Sequence, residues 1–176
     1  MKLLVIGESC KDVYQYGDCN RLSPEAPVPV FKTNQDRNTN GGMAKNVYNN
    51  VISLGIEADL CTNSNWETIS KIRYVDYRTN YIIVRVDHDE GSYGKADLSN
   101  IDFEKYDAVL ISDYNKGFLT QEDIQLIAEK HPVTFLDSKK ILGKWIDNIK
   151  YVKINNFEFE RTKHKIPKRL MNKFII

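Results

Sequence analysis

The sequence predicts an α/β layered fold with a mostly parallel central sheet and a small β lid beside it. Three observations carry this. Short uninterrupted apolar runs, Lys2 to Ile6 and Ala108 to Ser112 among them, suit strands buried on both faces of a parallel sheet. In the carboxyl half such runs alternate with helical patterns, as right-handed crossovers between parallel strands require. From Ile69 to Asp87 the pattern changes to period two, the mark of a hairpin outside the main sheet.

The first run ends at Gly7, where a turn or loop is expected. Three prolines between Ser23 and Pro29 forbid a helix and favour an extended edge segment leading into Val28 to Lys32. Gly41-Gly42 then precedes Met43, Val47, Val51 and Leu54 at helical spacing, so a helix is expected over 43–54 with Gly55 as its cap. Ile56 to Cys61 reads as the next parallel strand. In the hairpin, Tyr81, Ile83 and Arg85 fall on one face and Ile82, Val84 and Val86 on the other, with Arg78-Thr-Asn80 as the turn. Strands at 108–112, 133–137 and 151–154 alternate with helices at 121–130 and 141–149, and Phe174-Ile-Ile176 reads as the opening of a further strand.

A chain of 176 residues has the length of one domain, with lid strands expected at about 10–33 and 70–90. Its 25 basic and 24 acidic residues leave a net charge of +1, which announces neither a nucleic-acid binder nor an acidic disordered chain. No apolar run is long enough to span a bilayer. The three cysteines, Cys10, Cys19 and Cys61, lack metal-site spacing and follow no secretory signal, so reduced thiols in a cytoplasmic protein are expected.

Ligands of open α/β sheets collect beyond the carboxyl ends of the strands, and five junctions there are polar. They are Gly7 to Asp12, Asn38 to Gly42 with Asn46 one turn on, Ser112 to Gly117, Asp137 to Lys140, and Asn155 to Glu158. Asp12 is a short acceptor suited to neighbouring sugar hydroxyls, or a turn residue capping its own backbone. Gly41 and Gly42 permit close approach of main chain and free N–H groups at a helix start. Lys71, Arg73, Arg78 and Arg85 of the hairpin read as cations for a phosphorylated ligand or as a solvated face. Asp113 and Lys116 read as a metal- or phosphate-side pair, or as a stabilised turn.

Gly7 to Asp12, Arg21-Leu-Ser-Pro-Glu-Ala-Pro-Val-Pro-Val30, Gly41-Gly42 with Asn46, and Ser53-Leu-Gly55 resemble the ribokinase-like (PfkB-type) carbohydrate kinases. Ser112 to Gly117, Asp137-Ser-Lys139 and Asn155-x-x-Glu158 follow in the family's order. The Ser-Pro-Glu-Ala-Pro-Val-Pro segment is similar to the D-glycero-D-manno-heptose-7-phosphate kinase domain of ADP-heptose synthesis. The resemblance implies ATP- and Mg2+-dependent phosphorylation of a sugar phosphate hydroxyl. It places Asp12, Gly41, Gly42, Asn46, Lys71, Arg73 and Arg85 on the substrate side, and Asp113, Lys116, Asp137, Lys139, Asn155 and Glu158 on the phosphate and metal side. Glu158 would meet magnesium through water. It also implies a homodimer through the lid. The family's usual Pro before the Asn is Ile154 here.

The family's Gly-Ala-Gly-Asp loop, which supplies base and anion hole, does not occur in these residues, nor does the Thr-x-Gly-x-x-Gly stretch before it. The chain therefore reads as a ribokinase-like domain truncated at the carboxyl end, with no catalytic base and an incomplete ATP site. Two readings stand: a sugar kinase whose remaining part lies elsewhere, or a non-catalytic module that binds sugar phosphate or dimerises. A Rossmann-type dinucleotide binder is disfavoured, because no glycine triplet follows the first strand.

Overall fold

The computed structural model of the chain describes residues 1–88 and 91–175; the expected lid boundary at 90 and the final Ile176 lie outside the described residues. The apolar runs assemble into a six-stranded sheet in which every neighbouring pair is parallel. Its strands are β1 (Lys2–Gly7), β4 (Glu57–Cys61), β7 (Ala108–Asp113), β8 (Thr134–Ser138), β9 (Tyr151–Lys153) and β10 (Phe174–Ile175), in the order β10-β9-β8-β7-β1-β4. Val5 and Ile6 are fully buried. Three helices join these strands: α1 (Ala44–Ser53), α2 (Gln121–Lys130) and α3 (Asn156–Thr162). Leu4, Ile6, Val109 and Ile111 pack in one cluster with Ile124 and Ile127 of α2, while Leu3 and Ala108 pack in another with Val51 of α1.

β2 (Ser9–Leu22), β3 (Pro29–Met43), β5 (Ser70–Asp76) and β6 (Ile82–His88) form a separate four-stranded sheet in the order β3-β2-β5-β6. The hairpin is thus outside the main sheet, as its alternation predicts. Two expected loops are strands instead. Glu8 to Asp12 leads almost at once into β2, and Asn38 to Gly42 is the end of β3, paired with Tyr14 to Cys10. The polar side chains there leave no apolar rhythm in the sequence, although Cys10, Val13 and Met43 of these strands are buried.

The helix expected at 141–149 is absent. Leu142, Ile146 and Ile149 are buried at helical spacing, but Gly143 is fully extended and only a 3-10 turn, Lys144–Ile146, forms. Helix 121–130 has the expected bounds. Among the described residues no helix is long and apolar enough to cross a membrane. All three cysteines are unbridged.

Candidate functional site

β1 has β4 on one side and β7 on the other, so the direction of winding reverses there. The crevice of such a switch point lies at the carboxyl ends of β1 and β7. β2 leaves β1 at this point and carries Asp12 out along the lid sheet. Cross-strand partners share a face, so Asn40, Asp12 and Lys71 form one row and Asn38, Tyr14, Arg73 and Arg85 the next. This face is almost wholly polar, whereas Val13, Ile72 and Val86 line the other.

Asp12 accepts a charged hydrogen bond from Arg73 at 2.7 Å, with both side chains about four-fifths buried. A Cβ on Gly42 would stand 2.5 Å from the Asp12 carboxylate and 3.0 Å from the Cys10 sulfur, so any larger residue would displace the Asp12 side chain. Burial, and then the nearby Asp12 charge, push the Cys10 thiol up to about 11, which keeps it neutral. The Lys71 ammonium lies 6.0 Å from the Tyr114 ring centre, and Lys139 lies 5.7 Å from the same ring. Lid and strand-end loops therefore converge on Tyr114. Asn46 is exposed in the first turn of α1, and a Cβ on Gly41 would stand 2.0 Å from the Lys45 Cγ.

On the other side of Tyr114 the expected residues are engaged with one another. The buried Asp113 carboxylate accepts from Lys140 at 2.7 Å and from the Ser138 hydroxyl. Asp137 pairs with Lys153 at 2.7 Å, which raises the Lys153 pKa. Asn155 caps α3 by accepting from the Glu158 N–H at 2.9 Å, and Glu158 returns a bond from the Asn155 N–H at 3.0 Å. Glu158 also pairs with Lys139. Burial raises its pKa, but the Lys139 hydrogen bond and the Asn155 N–H outweigh this and hold the carboxyl below its ordinary range.

No protein-family model matches the chain. It is 33% identical over 200 residues to the bifunctional protein HldE of Helicobacter acinonychis, covering 93% of this chain and 43% of that protein. To HldE of Nitratiruptor sp. it is 31% identical over 181 residues, covering 82% and 38%. The chain thus spans about 40% of the length of these curated relatives. Among solved structures, the ribokinase of Arabidopsis thaliana complexed with ribose and ATP matches with a TM-score of 0.58 at 13% identity, covering 97% of this chain and 65% of that one. Ribokinase from Cryptococcus neoformans in complex with ADP matches at 0.53 and 7% identity, covering 93% and 59%. The chain has the ribokinase-like fold and is similar in sequence to about 40% of the HldE proteins.

No group of three His, Cys, Asp or Glu side chains that could hold a metal occurs among the described residues. Both Glu158 oxygens are already taken by Lys139 and the Asn155 N–H. Glu158 is thus engaged within the protein, and a magnesium ion here would be held chiefly by water. The sequence reading missed Glu8, which is fully buried and accepts from the Tyr114 N–H at 2.8 Å and the Lys116 N–H at 2.9 Å. Its own carbonyl accepts from the Ala44 N–H at 2.9 Å, so one residue ties the start of α1 to the Asp113–Gly117 loop. A carboxylate directly after a buried strand was the available signal. Its partners are backbone groups more than a hundred positions away, which no local pattern shows.

Proposed function

We propose that the chain is the acceptor-sugar side of a carbohydrate kinase and binds a sugar phosphate of the heptose 7-phosphate type. The observation that carries this is the Asp12 carboxylate held under Gly42 and against Arg73, on a polar lid face that meets the switch-point crevice. Asp12 would accept from paired sugar hydroxyls, with Gly41, Gly42 and Asn46 at the same wall. Lys71, Arg73 and Arg85 would supply positive charge for a phosphorylated ligand, which sugar recognition alone would not need. Asp113, Lys116, Asp137, Lys139, Asn155 and Glu158 form the side that faces the transferred phosphate, with Glu158 reaching magnesium only through water. Phosphoryl transfer from ATP is the activity proposed for the complete protein, and none of the residues named here is its base.

Thermal denaturation with and without ligand tests the reading. D-glycero-D-manno-heptose 7-phosphate at a hundred times its Kd should add about 2.7 kcal/mol. That corresponds to a Tm rise of roughly 5–10 °C for a chain of this size. Asp12→Ala should abolish the shift by removing the hydroxyl acceptor, and Glu158→Ala should leave it nearly intact. A full shift with ATP-magnesium alone, or sugar binding undiminished in Asp12→Ala, would place the acceptor site elsewhere.

The lid is also proposed as the interface of a homodimer. β6 is the edge strand of its sheet, and Ile82, Ile83 and Val84 on it are all exposed, an arrangement that a second copy would cover. Light scattering at tens of micromolar should give the mass of a dimer, and Val84→Asp that of a monomer. A monomeric parent chain would exclude this interface.

A further inference from the structure

The row that begins with Asn40, Asp12 and Lys71 continues onto the edge strand as Asp87, the register partner of Lys71 on β6. Asp87 was not among the residues singled out by sequence, yet it shares the polar face of the lid with Asp12 and Arg73. One of its oxygens accepts from Arg85 at 2.8 Å. The other, Oδ1, is buried and has no hydrogen-bond partner among the described residues. An acceptor left unsatisfied in a buried position costs stability, and such groups in folded proteins call for an explanation. Asp12, Lys71, Arg73 and Asp87 all lie near enough to the Cys10 thiol to act on it electrostatically, so they form one neighbourhood rather than a scattered surface.

Resting on the sugar-site reading above, we infer that Asp87 is a second hydroxyl-accepting carboxylate of that site and selects for a long-chain sugar. Two strand spacings separate Asp12 from Asp87, about 9.5 Å at the backbone. Lys71 lies between them, leaving one oxygen-accepting position at each end of the row. A ligand that satisfies both carboxylates must extend across Lys71, which a seven-carbon sugar phosphate does better than a pentose phosphate. The carboxylate, one fifth exposed, is then the contact for a ligand hydroxyl, and its enclosed Oδ1 marks an acceptor that the protein itself does not satisfy.

Three measurements on the parent chain and on Asp87→Asn test this: unliganded Tm, and affinity for D-glycero-D-manno-heptose 7-phosphate and for ribose 5-phosphate. The parent should prefer the heptose phosphate. Asp87→Asn should weaken heptose phosphate binding by about tenfold or more, the order expected of a charged hydrogen bond. Ribose 5-phosphate binding and the unliganded Tm should stay as they are, because the Arg85 partner is half exposed and contributes little. A residue that only supports the lid would lower the Tm and weaken both ligands alike, and that result overturns the inference. Unchanged heptose phosphate affinity in Asp87→Asn overturns it while leaving the Asp12 site standing. If the parent chain binds neither sugar phosphate, the sugar-site reading falls and this inference falls with it.

Discussion

Gly7→Ala is expected to remove about 3 kcal/mol or more of stability, at the upper end of what overpacking a core costs. Gly7 is the last residue of β1 and faces Ser112 in the β1–β7 ladder. A Cβ there would stand 1.9 Å from the Ser112 carbonyl oxygen and 2.7 Å from its carbon. Both are backbone atoms, so no side chain can rotate away. Relief requires the ladder to part at the place where the two strands form the crevice. The Thr62 hydroxyl, which donates to the Gly7 carbonyl at 2.7 Å, holds the other side. For a domain of this size the loss corresponds to a Tm lower by roughly 6–12 °C. Gly91→Ala is the control: its Cβ would meet nothing within 4 Å, and a change within about 0.5 kcal/mol is expected. Equal Tm values for the two variants would show that β1 and β7 do not approach as described.

The main sheet was legible because its strands are buried on both faces, and an uninterrupted apolar run is the direct imprint of that burial. Lys2 to Ile6, Ala108 to Ser112 and Tyr151 to Ile154 each fall within a residue or two of their strands. The lid was legible in register where it alternates, and elsewhere as the extended segment that the prolines before Val30 require. β5 and β6 carry Ile72, Val75, Val84 and Val86, whereas Asp12, Gln15, Asn38 and Asn40 leave β2 and β3 without an apolar rhythm. The segment 141–149 failed for the opposite reason. Its apolar spacing is helical, but an extended Gly143 lets Leu142 and Ile146 reach the core without a helix. Within the site, Asp12 and Gly42 could be paired from sequence by resemblance, while Asp87 and Glu8 could not. Their importance comes from register across strands and from distant backbone N–H groups, neither of which leaves a local trace.

Glu8→Ala is expected to be the other large loss, and it separates support of the site from contact with ligand. The carboxylate is fully buried, and its two oxygens take the N–H groups of Tyr114 and Lys116. Truncation leaves two half-buried donors without this acceptor, at about 1–3 kcal/mol each at most. The loop places Asn115 at a φ of 57° and Gly117 at 95°, left-handed positions that asparagine and glycine accept, so its shape rests on these residues and on the Glu8 carboxylate together. A Tm lower by roughly 5–20 °C follows from the sum. Glu67→Ala, on an exposed side chain, should change the Tm by about 2 °C or less. The effect on ligand is indirect but also predicted. Tyr114 stays beside Lys71 and Lys139 only while the loop is held, so Glu8→Ala should lose the sugar phosphate shift even at temperatures where it is still folded. Glu8→Gln keeps one acceptor and should fall between the parent and the alanine variant in both measurements. A Glu8→Ala protein with the parent's Tm would mean that the carboxylate does not hold the loop, and a lower Tm with an undiminished ligand shift would detach the loop from the sugar site.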